Sequence, residues 1–257
     1  MRPLAALDRE RAARVEVVLF DLDDTLLTHG VLTREAYGAL WDLSEAGLSL
    51  VAVTGRPAGW ADVLARQWPV AGVIAENGAI AVGKRAPILG PTPERPFEVV
   101  ERVRAARFPH VRYADDNAAR RTDVTLDVGE HAHLDLPTIE ALRGALVAEG
   151  LRVTVSSVHL HGTRSGDDKA SGALHFLRGL GIDAGAARAR AVFVGDSGND
   201  AACFAAFPLS VGVDNVRAWV PRLSVPPAFV TDGARGAGFV ELAETLLRAR
   251  PRRAAGP

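Results

Sequence analysis

Three aspartates follow an apolar segment near the start of the chain. Residues 17–20 are Val-Val-Leu-Phe, and Asp21, Asp23 and Asp24 come directly after them. An apolar, β-branched segment of this kind is typical of a buried strand. Carboxylates crowded at its end repel one another, and a divalent cation such as Mg²⁺, which prefers oxygen ligands, would offset that charge. Solvated acids at a capped strand end explain this single segment equally well.

Two other apolar segments end in polar groups that suit related chemistry. Gly-Asp-Ser-Gly-Asn-Asp, residues 195–200, follows apolar residues 191–194, and Thr54-Gly55-Arg56 follows apolar residues 51–53. The first supplies more carboxylates, and the second supplies a hydroxyl, an amide and a cation, which suit phosphate oxygens. In an open α/β sheet, ligands bind outside the carboxyl ends of the strands. The three segments can therefore surround one crevice that holds a cation and a phosphate.

A lysine adds a fourth element. The chain has 30 lysines and arginines, but Lys84 and Lys169 are its only lysines. Because arginine is used almost everywhere else, a lysine indicates a position that needs a compact point charge. Lys169 precedes a predicted helix at 170–180, and anions are favoured at helix N-termini. Lys84 has no such support and is predicted to be a turn residue.

These segments resemble the four motifs of the haloacid dehalogenase-like phosphatase superfamily, in the same chain order. The matching segments are Asp21-Leu-Asp-Asp-Thr, Thr54-Gly-Arg, Lys169 and Gly195-Asp-Ser-Gly-Asn-Asp. Ala75-Glu-Asn-Gly-Ala is similar to the type IIB (Cof-like) branch, which includes sucrose-phosphate and mannosyl-3-phosphoglycerate phosphatases. The resemblance covers about residues 15–82 and 165–245, and Asp24 stands where many relatives have glycine.

The resemblance implies a Mg²⁺-dependent phosphatase whose expected substrate is a small phosphorylated metabolite, above all a sugar phosphate. Asp21 would be the nucleophile that forms an aspartyl-phosphate, and Asp23 would be the general acid and base. The implied metal-binding residues are Asp21, Asp23 (through its backbone carbonyl), Asp196 and Asp200. The implied phosphate- and substrate-binding residues are Thr54, Gly55, Arg56, Asn77, Lys169 and Asn199. Arg56 and Asn77 are expected near the mouth of the site, although Asn77 also fits a simple Asn-Gly turn.

Two other functions use similar residues. A phosphomutase or phosphotransferase on the same scaffold would pass the phosphoryl group of Asp21 to a second molecule, and the sequence does not show whether water has access. A signalling receiver domain also uses acids, a threonine and a lysine. Receivers are about half as long, and their phosphorylated aspartate follows a later strand than their acidic pair. Here both acids of the first motif follow the first predicted strand, which argues against a receiver.

Strands and helices alternate over most of the chain, which predicts an α/β fold with a doubly wound, mostly parallel sheet. Strands are predicted at 15–21, 48–54, 70–76, 190–195, 208–213 and 227–231. Helices are predicted at 34–46, 58–67, 170–180, 199–206 and 237–249. Residues 1–82 and 166–257 would form the catalytic core, and residues 83–165 an inserted type IIB cap domain.

The predicted cap has an α+β pattern of its own. Residues 123–128 and 152–155 alternate with period two, as half-exposed antiparallel strands do, and helices are predicted near 95–107 and 137–149. His159 and His161 alternate along another predicted strand and share one face. On that face they could either contact the substrate or pack against neighbouring residues. No further ligands with metal spacing accompany them, so a zinc site is not indicated.

Composition limits the class of protein. The 257 residues carry a net charge of −1, which gives no indication of binding to nucleic acid or to an anionic membrane. Cys203 is the only cysteine, so no intrachain disulfide can form. Apolar stretches stay below the ~18 residues of a membrane span. We expect a cytoplasmic enzyme with a small-molecule partner, four tryptophans that pack in the core, and a solvated Arg120-Arg121 pair.

Overall fold

The computed structural model describes residues 1–83, 87–88 and 94–250, so Lys84 and its predicted turn lie outside the described residues. The strands are β1 (Arg2–Pro3), β2 (Val17–Phe20), β3 (Ser49–Val53), β4 (Gly72–Ala75), β5 (Ile80–Gly83), β6 (Pro87–Ile88), β7 (Asp123–Asp127), β8 (Arg152–Val155), β9 (His159–Thr163), β10 (Ala191–Gly195), β11 (Ser210–Gly212) and β12 (Phe229–Val230). The α-helices are α1 (Arg9–Ala13), α2 (Arg34–Glu45), α3 (Ala58–Gln67), α4 (Phe97–Arg107), α5 (Leu136–Ala148), α6 (Lys169–Gly179), α7 (Ala184–Arg190), α8 (Ala201–Ala206) and α9 (Arg235–Ala249).

The main sheet has the strand order β1-β12-β11-β10-β2-β3-β4-β5-β6. Its strands are parallel from β1 to β4, and β5 and β6 are antiparallel additions at one edge. Helices flank this sheet, so the predicted α/β fold with a mostly parallel sheet is confirmed. The antiparallel edge was not predicted, although Asn77-Gly78 between β4 and β5 is a turn signal that suits a hairpin return.

Strand β2 lies at the centre of the sheet and is apolar on both faces. Val18 and Phe20 pack into one hydrophobic cluster, whereas Val17 and Leu19 pack into the cluster on the opposite face. A strand covered on both faces needs a continuous apolar run, which explains why this segment does not alternate. From β2 the chain proceeds to β3 and β4 on one side and later to β10 and β11 on the other. The carboxyl end of β2 is therefore a topological switch point, where open sheets bind ligands.

A second sheet, with the strand order β7-β9-β8, lies between β6 and α6 in the sequence. It is antiparallel and shares a hydrophobic cluster with α4 and α5, and we call residues 94–165 the insert. The prediction of a half-exposed strand at 123–128 was wrong, because every residue of β7 is buried. Val124 and Leu126 face the insert's own cluster, and the alternate polar residues are covered by hydrogen-bonded neighbours. That the insert is a separate domain bounded by residues 83 and 165 stays a prediction.

The tryptophans do not all pack in the core as expected. Trp41 is 44% exposed and Trp60 is 39% exposed, so the prediction was wrong for these two. The Trp60 ring instead lies 4.7 Å from the guanidinium carbon of Arg56, within the range of a cation–π contact. Among the described residues, no helix combines the length and the apolar character that crossing a membrane requires.

Candidate active site

Lys169 joins two carboxylates that are far away in the sequence. Its Nζ lies 2.6 Å from Asp21 Oδ1 and 2.7 Å from Asp200 Oδ1. Asp21 follows β2, Lys169 begins α6 and is 0% exposed, and Asp200 ends the loop after β10. A buried ammonium group needs such partners, since an unpaired charge in the interior is strongly unfavourable. The structure thus brings together residues from three of the four sequence motifs.

Asp21, Asp196 and Asp200 form a buried cluster of carboxylates. One oxygen from each of them lies within 4.8 Å of the others. Burial raises the pKa of Asp21 to about 7, Asp200 and Asp23 add to that effect, and Lys169 opposes it. Burial, together with the charges of Asp200 and Asp21, also raises the pKa of Asp196. One ammonium group faces three carboxylates, so a hard divalent cation such as Mg²⁺ fits this set of oxygen donors.

The loop at residues 195–200 folds around the carboxylate of Asp200. Asp200 Oδ2 accepts hydrogen bonds from the backbone N–H groups of Asp196 at 2.8 Å and Ser197 at 3.1 Å. Ser197 Oγ donates to Asn199 Oδ1 at 3.0 Å, which agrees with a role in turn geometry. A β-carbon on Gly195 would lie 2.4 Å from Asp200 Oδ2, so glycine is required there. These contacts fix the direction in which Asp196 presents its side chain.

Asn215, which lies outside the motifs, and Thr25, the last residue of the first motif, orient Asp196. Asn215 Nδ2 donates to Asp196 Oδ2 at 2.9 Å and to the carbonyl oxygen of Asp24 at 3.0 Å. Thr25 Oγ1 donates to Asp196 Oδ1 at 3.3 Å. Sequence reasoning missed Asn215, because an asparagine after β11 carries no signal that links it to the loop after β10.

Asp24 shows how an aspartate replaces the glycine that many relatives have. Its φ is +55°, in the left-handed region where glycine is favoured and where Asp and Asn are tolerated better than other residues. Its charge is balanced by Arg235, whose Nε donates to Asp24 Oδ1 at 2.9 Å. The substitution therefore adds an ion pair at the edge of the site and leaves the other motif residues in place.

The loop after β3 and the turn after β4 lie against each other. The backbone N–H of Arg56 donates to Thr54 Oγ1 at 3.0 Å, and that of Asn77 donates to the Thr54 carbonyl at 3.1 Å. Asn199 Nδ2 donates to Asn77 Oδ1 at 3.0 Å. The predicted substrate-binding residues Thr54, Asn77 and Asn199 are therefore neighbours. Asn77 has a φ of +54°, so it fits the turn interpretation as well.

Arg56 connects Asp23 to the insert. Its guanidinium donates to both carboxylate oxygens of Asp23, with Nε–Oδ2 at 2.9 Å and Nη2–Oδ1 at 2.7 Å. The same Nη2 lies 3.1 Å from Glu130 Oε1 of the insert. Arg56 is buried in these contacts, although it also lines the cavity at the mouth of the site. The side chain of Asp23 thus points at Arg56, apart from the metal-type cluster.

Arg120 fastens the insert to the loop after β3. It is buried, with Nη1 donating to the Gly55 carbonyl at 2.9 Å and to Asp123 Oδ2 at 3.0 Å, and Nη2 donating to Asp116 Oδ2 at 2.7 Å. The prediction of a solvated Arg120 was wrong, because its charge is matched by two acids that the fold places beside it. Of the Arg120-Arg121 pair, only Arg121 is exposed to solvent.

Glu76 makes a second connection between the main sheet and the insert. Its carboxylate is buried and accepts hydrogen bonds from the backbone N–H groups of Ala58 at 3.0 Å, Arg121 at 2.8 Å and Thr122 at 2.7 Å. The hydroxyl of Thr122 donates to the same carboxylate at 2.6 Å. The sequence suggested only a turn at this position.

The two strand histidines are both buried and both paired with acids. His159 Nε2 lies 2.7 Å from Glu130 Oε2, and His161 Nδ1 lies 2.9 Å from Asp123 Oδ2. The hydrogen bond from His159 and the charge of Arg56 lower the pKa of Glu130 to about 2, against the effect of burial. The two rings share one face of β9 as predicted, since their centroids lie 5.8 Å apart.

Comparison with known proteins agrees with this geometry. Residues 18–89 match the family model of haloacid dehalogenase-like hydrolases. Protein 0175 of Thermoplasma acidophilum has a similar structure, with 18% identity and a TM-score of 0.72 over 91% of this chain and 98% of that one. The sucrose-phosphatase of Synechocystis sp. PCC6803, in complex with sucrose and phosphate, has 14% identity and a TM-score of 0.65 over 90% and 97%. No curated protein matches the sequence.

A third similar structure is BT1666 of Bacteroides thetaiotaomicron, which is described among phosphatases of the haloalkanoate enzyme superfamily. It has 19% identity and a TM-score of 0.63 over 94% of this chain and 98% of that one. At these identities the structural likeness shows the fold. The family model covers residues 18–89, which include the first two motifs and make up less than half of the chain.

Proposed function

We propose that this protein is a haloacid dehalogenase-like hydrolase, namely a Mg²⁺-dependent phosphatase that acts on a small phosphorylated metabolite, with a sugar phosphate as the substrate. The observation that carries the proposal is the contact of Lys169 with Asp21 and Asp200 beside Asp196. A nucleophilic carboxylate, a fixed ammonium group and a cation site in one place are what phosphoryl transfer needs, since catalysis there is positioning and charge neutralisation.

Asp21, Asp196 and Asp200 would hold Mg²⁺, with Asn215 and Thr25 orienting Asp196. When bound, the cation would lower the negative charge around the phosphate so that an anionic nucleophile can approach it. Lys169 serves the same purpose with its single charge. Both would also return Asp21 to the ionised form that attacks phosphorus, although burial favours its protonated form.

Asp21 then forms a bond to phosphorus as the bond to the leaving oxygen breaks, and the leaving oxygen takes a proton from Asp23. In the second step, water attacks the aspartyl-phosphate, gives its proton to Asp23, and releases phosphate and free Asp21. Asp23 here accepts hydrogen bonds from Arg56 on both of its carboxylate oxygens. Proton delivery therefore requires the guanidinium to turn away from at least one oxygen when substrate binds.

The cavity beside Asp23 supports a small, polar leaving group. It has a volume of about 440 Å³ and lies between the main sheet and the insert. Its lining includes Asp23, Arg56, Glu130, His131 and His133, which offer many hydrogen-bonding groups and no aromatic carbocycle on which a base could stack. The sucrose and phosphate bound by the Synechocystis relative are consistent with a carbohydrate in this position.

Release of inorganic phosphate from a panel of sugar phosphates, nucleotides and cofactor phosphates tests the proposal. We expect turnover of sugar phosphates with Mg²⁺, and none in EDTA. Nucleotide turnover exceeding that of every sugar phosphate would refute the substrate class, and unchanged rates in EDTA would refute the metal requirement. Loss of substrate without release of phosphate, accompanied by a new phosphorylated sugar, would instead identify a phosphotransferase.

A further inference from the structure

The ring of His161 presents a nitrogen atom that has no hydrogen-bond partner in the described structure. His161 lies on β9, opposite Thr125 of β7, and is 2% exposed. Its Nε2 is fully buried and makes no hydrogen bond. Buried polar atoms almost always find partners, so an unpaired one in a native fold calls for an explanation.

The neighbours of Nδ1, the other ring nitrogen of His161, determine whether Nε2 donates or accepts a hydrogen bond. Asp123 Oδ2 lies 2.9 Å from His161 Nδ1, and a carboxylate can only accept, so Nδ1 carries the hydrogen. Asp123 is ionised because Arg120 and the His161 hydrogen bond lower its pKa against the effect of burial. Burial lowers the pKa of His161 to about 4, although Asp123 opposes this. At neutral pH the ring is uncharged, and Nε2 offers a lone pair.

That lone pair lies directly above the loop that follows β3. A β-carbon built on Gly55 would be 3.1 Å from His161 Nε2 and 3.4 Å from Asn77 Nδ2. The Nε2 acceptor and the Asn77 amide therefore converge on one point of the predicted substrate-binding loop. Arg120 fixes the position of the insert against this loop through its hydrogen bond to the Gly55 carbonyl.

We propose that His161 is a specificity-determining residue whose Nε2 accepts a hydrogen bond from a hydroxyl of the leaving group, beside Gly55 and Asn77. The proposal rests on the phosphatase function proposed above and adds a requirement for a hydroxyl donor. A phosphate oxygen cannot serve, because two acceptors facing each other repel. Nε2 is covered by Gly55, so the insert lifts from this loop when the substrate enters, as cap movements in enzymes allow.

Two variants and a control test the role of His161. His161→Leu removes the acceptor, and His161→Gln offers an amide oxygen in its place. His110→Leu is the matched control, since His110 is an exposed histidine of the same insert. The substrates are glucose 6-phosphate, mannose 6-phosphate and fructose 6-phosphate, with p-nitrophenyl phosphate as a substrate whose leaving group has no hydroxyl donor besides the reacting oxygen.

For the best hexose phosphate, His161→Leu should lower kcat/KM by at least about tenfold, because a site built around a hydrogen bond loses it entirely. Turnover of p-nitrophenyl phosphate should remain close to that of the wild type, and His161→Gln should recover most of the hexose phosphate activity. His110→Leu should change neither the activity on the hexose phosphate nor the turnover of p-nitrophenyl phosphate. An equal loss on both kinds of substrate, or no loss on either, would overturn the proposal.

A second measurement does not depend on how the variants fold. Each monodeoxy analogue of the best hexose phosphate is compared with its parent on the wild-type enzyme, and at least one should lose about tenfold or more in kcat/KM. Equal turnover of all analogues, or turnover of p-nitrophenyl phosphate alone, would overturn the role of His161. Absence of phosphate release from every substrate would instead overturn the proposed function itself.

Discussion

The strand ends of the main sheet and the inner face of the insert contribute to the same crevice in different ways. Asp21 and Asp196 follow β2 and β10, which are adjacent parallel strands, so the sheet itself sets the distance between the two carboxylates. On the insert, Glu130 forms an ion pair with Arg56, and Arg120 donates a hydrogen bond to the Gly55 carbonyl. The strand ends therefore provide the groups for phosphoryl transfer, and the insert provides groups that can select the rest of the substrate.

This difference has a consequence for substitutions. A substitution at the strand ends removes one charge from the buried cluster of carboxylates and Lys169. Because the charges in this cluster balance one another, phosphoryl transfer should fail for every substrate. A change on the insert removes one contact among several, so its effect should depend on the substrate or on how firmly the insert is attached.

The largest effect is expected for Asp21→Asn. An amide is a poor nucleophile, so phosphate release should fall by about 10³-fold or more for all substrates while the fold is retained. Asp24→Asn is the matched control, because Asn also tolerates a positive φ and the side chain of Asp24 pairs with Arg235 at the edge of the site. Phosphate release and far-UV circular dichroism of both variants check this, and normal turnover in Asp21→Asn would eliminate the nucleophile assignment.

Lys169→Met should nearly abolish activity and also destabilise the protein. The variant leaves the buried carboxylates of Asp21 and Asp200 without their ammonium partner, and breaking a buried pair costs about 3–5 kcal/mol. The free energy of unfolding in urea measures this effect. If the site binds Mg²⁺, the cation should restore part of the stability of the variant. A variant as stable as the wild type would contradict the importance of this ion pair.

Asn215→Ala should weaken the cation site without removing a ligand. Asn215 donates to Asp196, and loss of a group that orients a metal ligand typically lowers metal affinity or activity by about 10–100-fold. The Mg²⁺ concentration for half-maximal activity should therefore rise, with kcat at saturating Mg²⁺ close to the wild-type value. An unchanged Mg²⁺ requirement would show that Thr25 and the loop suffice to orient Asp196.

Glu76→Gln tests the attachment of the insert. Glu76 accepts hydrogen bonds from Thr122 and from two backbone groups of the insert, and the amide retains its shape but loses its charge and one acceptor. We expect a loss of about 1–3 kcal/mol in unfolding free energy, because a buried donor then lacks its partner. Chemical denaturation measures this loss in unfolding free energy. The kcat for p-nitrophenyl phosphate should change much less in Glu76→Gln than in Asp21→Asn.

The smallest effect concerns pH. The pKa of Asp21 is raised from 3.8 to about 7 without a cation, so the folded state binds a proton more tightly than the unfolded chain. This group therefore makes the Mg²⁺-free protein less stable as pH rises from about 4 to about 7. Mg²⁺ competes with that proton, so it should raise Tm more at pH 8 than at pH 5. Thermal unfolding with Mg²⁺ or EDTA at both values tests this, and a larger shift at pH 5 would contradict it.

The sequence alone determined the parts of the protein that follow from local pattern. Apolar runs ending in polar residues predicted β2, β3 and β10 within two residues of their bounds, because strands buried on both faces tolerate few polar side chains. Asp21 and Asp196 were named for the same reason, since each follows such a strand. Lys169 was named because it is one of only two lysines and precedes a predicted helix. Parallel strands then place those ends at one edge of the sheet.

Only the tertiary structure decided how the insert meets that edge. The pairing of Arg56 with both Asp23 and Glu130 depends on side-chain directions that no spacing in the sequence encodes. The burial of Arg120 likewise depends on Asp116, Asp123 and the Gly55 carbonyl, which come together only after folding. Charged residues appear solvated in a sequence because their partners are distant in the chain. Packing is what removes water from them and gives them a role.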